Sequence, residues 1–169
     1  KDTTGMELST VLPAMVFGPI LEEDFGVSVG AILDMMNGKY PIVPNWDMGV
    51  VDVRDVASLE LLAMTKPEAA GKRFVCSAEN MFMKDQNEYL SEIFPESASK
   101  IPKRVAPNWL IKFLALFLPA LKMIAEGLGK ERSMDSSRAR NLLGWNPRSA
   151  KEAVKSAAES AKEFGLIED

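Results

Sequence analysis

Histidine is absent from the 169 residues. That removes the commonest general base and the commonest metal ligand, so a Ser-His-Asp hydrolase or a His-ligated zinc site within this chain is excluded. A single cysteine, Cys76, rules out an internal disulfide. It lies in Arg73-Phe74-Val75-Cys76-Ser77, a short strand-like run where a small buried hydrophobe is expected rather than a reactive thiol. Its isolation fits a reducing compartment, read as cytoplasmic. Long uncharged runs are missing too. The most apolar stretch, Phe113 to Leu121, is interrupted or flanked by Lys112, Pro119 and Lys122, short of the roughly 20 residues a membrane span needs. A buried, proline-kinked helix is expected there, and no membrane partner.

What charge there is runs acidic, with a net of -4 and a pI of about 5.1, so nucleic acid is not an expected partner. The distribution is uneven. Residues 1–99 hold 7 Lys/Arg against 16 Asp/Glu, residues 100–155 hold 12 against 4, and the remainder is acidic. A basic segment in an acidic protein attracts an anionic substrate or cofactor phosphate, or is simply a solvated face. The 47% apolar and 26% charged composition is that of a folded soluble domain. The opening Lys1-Asp2-Thr3-Thr4-Gly5 reads like the end of a helix with its glycine cap, an internal beginning.

Along the chain, Met6–Leu12 is a strand candidate stopping at Pro13, and Gly18-Pro19 marks a turn. Val27 to Met36 has helical spacing of Val29, Ile32, Leu33 and Met36, closed by Asn37-Gly38. A Pro/Asn-punctuated loop spans Tyr40 to Met48, and Val50–Arg54 is a second β-rich run. Asp55 is placed to cap the following helix, which runs to about Thr65. Arg73–Ser77 is a third strand, and Asp85–Phe94 a short helix with Tyr89, Leu90 and Ile93 inward. Met134–Arg138 opens another helix that Gly144 ends, and Ser149-Ala150-Lys151-Glu152 has capping-box spacing for a last helix to Phe164. Strands alternating with helices predict α/β with parallel strands, followed by a mainly helical lobe.

Three segments, in order, resemble the extended short-chain dehydrogenase/reductases, the NAD-dependent epimerase/dehydratase superfamily. Leu12-Pro13-Ala14-Met15-Val16-Phe17-Gly18-Pro19 resembles the Pro-x-x-x-x-Gly-Pro turn after the sixth parallel strand of that family. Val51-Asp52-Val53-Arg54-Asp55-Val56-Ala57 looks like the strand-to-helix junction of its dihydroflavonol-reductase-like branch. Leu142-Leu143-Gly144-Trp145-Asn146-Pro147 is similar to its Leu-Gly-Trp-x-Pro element, with Gly165-Leu166 as the tail. Each motif is weak alone; their order and spacing over residues 12–166 make the signal.

The resemblance implies the C-terminal strands and helices of a Rossmann-type parallel sheet plus a small, mainly helical substrate-binding lobe. Residues 1–99 would be the remainder of the sheet with lobe insertions, and 100–169 the helical part. The family's Gly-rich pyrophosphate turn and its Tyr-x-x-x-Lys proton donor are not in this sequence: four residues beyond Tyr40 stands Pro44, and beyond Tyr89 stands Ile93. The expectation is therefore a fragment, inactive alone, of an NAD- or NADP-dependent reductase acting on a small apolar or aromatic carbonyl compound. By the same resemblance Pro13, Ala14, Met15, Val16 and Ser28 contact the cofactor, and Phe17, Asn45 and Trp46 wall the substrate. The residues alone allow blander readings: a plain turn at Pro13–Val16, a helix cap at Ser28, and either an aromatic lid or a hydrophobic plug at Trp46.

Asp52 and Arg54 share a strand face, so a structural ion pair is expected, and Trp145 should pack. Epimerases of the superfamily carry a diphosphate-binding Arg where Met48 aligns here, which disfavours a sugar nucleotide. The rival readings are such an epimerase or dehydratase, and a non-catalytic NAD(P)-binding regulatory module. The Leu8–Leu12 strand should leave a sheet edge open for a partner strand or a homo-oligomer.

Overall fold

Thr10 and Val11 are β-branched and favour extended backbone, and in the computed structural model, which describes residues 5–167, they begin strand β1 (Thr10–Pro13). The helix end expected at Lys1–Thr4 lies outside the described residues. β1 pairs in parallel with β4 (Arg73–Cys76), Thr10 opposite Arg73 and Pro13 opposite Cys76. The ladder continues one step further, the Ala14 N–H donating to the Cys76 carbonyl at 3.0 Å. Successive N–H groups point to opposite sides of a strand, so the N–H that Pro13 lacks would have faced the unpaired edge. Proline costs this strand no ladder bond.

The strand does not stop at Pro13 as expected, and the plain turn allowed at Pro13–Val16 is absent, while the turn expected at Gly18-Pro19 is present. The chain stays extended as β2 (Met15–Phe17) and changes partner, pairing in parallel with β3 (Asp47–Asp52), Met15 opposite Val50. The turn comes at Gly18, with φ of 118°. A Cβ there would lie 2.9 Å from Val53 Cγ1 and 3.0 Å from Asp52 Oδ1, so only glycine lets β2 end against the next junction. β3 in turn pairs antiparallel with β5 (Glu79–Phe82). Glu79 and Asn80 carry weak strand propensity, and β5 exists because β3 offers it a ladder.

Helix α1 (Val27–Met36) has the predicted bounds and buries Val29, Ile32, Leu33, Met35 and Met36. Helix α2 (Val53–Thr65) starts three residues earlier than the sequence suggested. Asp52, not Asp55, is its N-cap, its carboxylate accepting the Arg54 N–H at 2.9 Å. Of two aspartates near a strand end, the one whose backbone is still extended does the capping. Helix α3 spans Met83–Ile93, with Leu90 buried; Tyr89 and Ile93 are half-buried. The single kinked helix expected around Pro119 is instead two helices, α4 (Asn108–Leu114) and α5 (Ala120–Gly127), because proline ends the ladder before it. Helix α6 (Ser137–Leu143) stops at Gly144, and α7 (Ala150–Glu163) begins at Ser149, whose hydroxyl accepts the Glu152 N–H at 3.2 Å.

Two apolar clusters lie on either side of the strands. One joins α1, α3 and the alanine-rich face of α7 (Ala150, Ala153, Ala157, Ala158, Ala161) to Phe17, Trp46 and Val50. The other joins α2 and α6 to Val51, Phe74, Cys76 and Trp145. The junction of β3 and α2 links them. Arg54 grips Asp52 through Nε at 2.8 Å and Nη2 at 2.7 Å. The buried Asp55 carboxylate accepts the Arg148 backbone N–H at 2.8 Å and its Nη1 at 2.6 Å, and the Asp55 carbonyl accepts Trp145 Nε1 at 2.9 Å. The expected Asp52–Arg54 pair is present, formed in the first turn of a helix rather than across a strand face.

Arg148→Ala leaves the Asp55 carboxylate buried with one donor fewer. It should lower stability by about 2 kcal/mol, read as a reduced urea midpoint. An unchanged midpoint would mean that water replaces the guanidinium. Asp52 gives a pH test. Burial raises its pKa, but the Arg54 guanidinium and backbone N–H more than offset this and hold the carboxyl below its usual value. A carboxyl lowered on folding stabilises fully above its unfolded value, about 3.9, and that contribution fades as pH falls toward the folded value. Asp52→Asn should therefore lose stability at neutral pH and flatten the acid limb of a stability-versus-pH curve.

Candidate functional site

Open α/β sheets bind ligands beyond the carboxyl ends of their parallel strands. Here those ends are Pro13-Ala14 on β1 and Cys76-Ser77 on β4, brought side by side by the strand register. A Cβ placed on Gly49 of β3 would meet Met134 Sδ at 2.5 Å, Ser77 Oγ at 2.8 Å and Ala14 Cβ at 3.1 Å. These three side chains therefore converge on the one position of β3 that has none. Ser77 is 2% exposed and its hydroxyl has no hydrogen-bond partner, a state that invites a ligand or water.

The sequence-predicted residues fall into two groups around this point. Pro13 is exposed and Ala14, Met15 and Val16 are half-buried along the β1–β2 run. Val16, Phe17 and Ser28 line one cleft of about 350 Å³ with Gly18, Pro19 and the loop to Gly26. Ser28 sits in the first turn of α1, whose N-cap Gly26 makes no side-chain cap bond and whose first turn holds no acidic residue. Ser28 is thus not the cap residue. Phe17, 2% exposed, closes the inner end of this cleft and belongs to the apolar cluster that also holds Trp46.

Asn45 and Trp46 lie apart from that cleft. The Asn45 carbonyl accepts the Gly129 N–H at 2.8 Å, and the Trp46 carbonyl accepts the Met83 N–H at 3.1 Å. Trp46 is 8% exposed, a plug rather than a lid, with its indole N–H unpaired. It packs close against Gly127 and Arg132: a Cβ on Gly127 would lie 2.9 Å from the indole nitrogen and from Arg132 Nη2.

Sequence reasoning passed over Ser77, Gly49 and Met134. A glycine inside the hydrophobic run after Met48 was a legible sign of close approach; nothing local marked the other two. Neither the two buried aspartates of the β3–α2 junction nor the two tyrosines supply a proton donor to this place. Asp52 and Asp55 are committed to Arg54 and Arg148. The exposed Tyr40 hydroxyl lies 3.3 Å from Asp34. Tyr89 carries Lys151 Nζ over its ring, 5.0 Å from the centroid, rather than beside its hydroxyl. Among the described residues no His/Cys/Asp/Glu group is arranged to hold a metal, and no helix is long and apolar enough to cross a membrane.

No family profile matches the chain. Over 97% of its length it is 27% identical to the NADPH-dependent methylglyoxal reductase GRE2 of Saccharomyces cerevisiae, covering 45% of that protein. It is 34% identical to cinnamoyl-CoA reductase 1 of Oryza sativa subsp. japonica over 54% of this chain and 27% of the other. The crystal structure of yeast methylglyoxal/isovaleraldehyde reductase Gre2 complexed with NADPH matches 95% of this chain and 45% of its own, with a TM-score of 0.71 at 27% identity. The chain is homologous to the extended short-chain dehydrogenase/reductases. Its parallel strands and flanking helices are of the Rossmann type found in these reductases. A nucleoside-diphosphate-sugar epimerase from Pseudomonas aeruginosa shares the fold, with a TM-score of 0.77 at 19% identity, over 97% of this chain and 51% of its own. The chain spans about half the length, or less, of these relatives.

Cys76 is distinct from the reactive thiols of catalytic sites. Burial, with the Asp55 and Glu60 charges, pushes its pKa up to about 12. Iodoacetamide at pH 8 should therefore modify it no faster than the chain opens, with rapid labelling in urea. Rapid labelling in native buffer would show that the cluster around Phe74 is not closed.

Proposed function

We propose that this chain is the C-terminal portion of an NAD(P)-dependent carbonyl reductase of the dihydroflavonol-reductase-like branch, acting in the cytoplasm on a small apolar or aromatic carbonyl compound. The observation that carries this reading is the β1–Ala14–β2 run. It delivers Pro13 and Ala14 to the carboxyl end of a parallel pair, next to the unpaired Ser77 hydroxyl. The homology to reductases named for NADPH, methylglyoxal and cinnamoyl-CoA supports the reaction class.

A bound nicotinamide supplies the hydride. The residues present fit that end of the cofactor only, since no Gly-rich turn for a pyrophosphate lies in the sequence. In this reading the Pro13 carbonyl and the half-buried Ala14–Val16 backbone orient the carboxamide, and Ser28 reaches the cofactor from the open first turn of α1. Phe17 excludes water from the cleft that Val16 and Ser28 share. Asn45 and Trp46 shape the substrate lobe from behind, through the contacts with Gly127 and Gly129. The proton donor, a Tyr with its Lys, belongs to the part of the parent outside this sequence, as does the partner for the outer edge of β1. Leu12 on β1 is 36% exposed, and Met6 and Leu8, which precede the strand, are 78% and 76% exposed; an unpaired edge of this kind suits another sheet strand of the parent or of a second copy.

A sugar-nucleotide epimerase is the second reading, and Met48 counts against it. Met48 is 3% exposed, packed in the apolar cluster of α1 and α7, and offers a diphosphate neither charge nor access.

The chain alone, mixed with NADPH and an aromatic aldehyde, should show no loss of absorbance at the reduced-nicotinamide band. Backbone amide NMR shifts on adding reduced nicotinamide mononucleotide should centre on Ala14–Val16 and Ser28. In the parent protein, Ala14→Trp should raise KM for NADPH at least tenfold. Turnover by the chain alone would refute the placement of the proton donor. Shifts confined elsewhere would refute the nicotinamide placement, and tight binding of a UDP-sugar by the parent would favour the epimerase.

A further inference from the structure

Helix α4 is apolar at Trp109, Leu110, Ile111, Phe113 and Leu114, yet only part of it is covered. Ile111, 6% exposed, packs with Leu128 and Ala106, and Ala115 is buried to the same degree. Trp109, Phe113 and Leu116, at i, i+4 and i+7, stand on the other side at 70%, 54% and 73% exposure, with Phe117 at 70%. The Phe113 and Phe117 rings meet edge to face, 5.5 Å between centroids, which holds the outward face as one patch rather than scattered side chains. Contiguous exposed aromatic surface of this kind marks a docking face.

The charge around it points to the occupant. The segment from Lys103 to Lys130 carries five Lys/Arg (Lys103, Arg104, Lys112, Lys122, Lys130) against one carboxylate, Glu126, within a chain of net charge -4. Lys112 follows Ile111 on the flank of the exposed aromatic row, and Lys122 is exposed on α5. Trp and Phe facing out with basic residues alongside is the composition of a helix that seats in the headgroup region of a bilayer. We infer that the α4–α5 hairpin docks on an anionic lipid surface, with Trp109, Phe113, Leu116 and Phe117 entering the interface and Lys112 and Lys122 meeting lipid phosphates. The expectation against a membrane partner rested on spanning length, which helices of 7 and 8 residues do not have; lying on a surface does not require it. The acidic remainder of the chain is repelled by the same surface, so electrostatics orients the hairpin toward it.

The test is co-sedimentation of the chain with vesicles of phosphatidylcholine alone and of phosphatidylcholine mixed with phosphatidylserine, at low and high salt. Binding should require phosphatidylserine and weaken with salt. Tryptophan emission should shift to the blue on binding, because Trp46 and Trp145 are already buried at 8% and 3% exposure. The shift should vanish in Trp109→Phe, which still binds. Trp109→Ser/Phe113→Ser/Phe117→Ser leaves Ile111 and Ala115 in place, so it should keep its circular dichroism and lose binding. Lys112→Gln and Lys122→Gln should each weaken partition about fivefold. The proposal is overturned by equal or absent binding to both vesicle types, or by a folded triple variant that binds as well as the original. It is equally overturned if light scattering shows an oligomer that the triple variant dissolves while vesicles go unbound, which would make the face a protein interface.

Discussion

Two buried carboxylates, Asp52 and Asp55, set the constraint around which the rest of this structure is arranged. A buried carboxylate is tolerated only with charge and hydrogen-bond partners in place, and here the partners come from distant parts of the chain. Arg54 answers Asp52 locally, whereas the Asp55 carboxylate needs Arg148, 93 residues away, and the Asp55 backbone carbonyl takes the Trp145 indole N–H. Glu152 lies 3.2 Å from Arg148 and 4.0 Å from Arg54 and so joins the two pairs. The Leu142–Pro147 element is thereby tied to the start of α2, and α7 emerges from that knot to cover β2, β3 and β5. Gly18 belongs to the same constraint, since no other residue leaves room for Asp52 and Val53 at the end of β2.

Once the knot holds β3 in position, the change of partner at Ala14 follows. β1 runs with β4 and β2 runs with β3, so one extended segment belongs to two sheets. The point of exchange is where the carboxyl ends of β1 and β4 meet the flank of β3. Gly49, Ser77 and Met134 collect there beside Ala14, the glycine leaving the room that the other side chains fill. A binding site at a discontinuity of strand order is the usual arrangement of open α/β sheets, and the exchange at Ala14 produces such a discontinuity within a few residues.

The free surfaces follow from the same geometry. Among the described residues β1 has one neighbour, and Leu12 on it, with Met6 and Leu8 before it, is exposed. The α4–α5 hairpin has a small core of its own and turns its aromatic residues away from it. The two surfaces differ in kind: the first offers backbone hydrogen bonds to a strand, the second offers side chains and flanking positive charge.

Much of this was legible from local pattern. The α1 bounds, the Ser149 cap, the Gly144 stop and the order of the family motifs all rest on free energies that a few neighbouring residues determine. The Asp52–Arg54 pair was legible for the same reason. Local pattern misassigned the α2 cap because two aspartates three apart compete for it and backbone conformation decides. It missed β5 because Glu79 and Asn80 carry weak strand propensity, and β2 because Pro13 reads as the end of the strand before it; both pair with β3. Ser77, Gly49 and Met134 had no local mark as a set, being 28 and 57 residues apart in turn. Residue chemistry and spacing settled which helices form and which family they resemble. Which strands pair, where the chain changes sheets and which side chains meet at the carboxyl ends came from long-range ladders and buried charge, whose energies depend on residues that only the folded chain brings together.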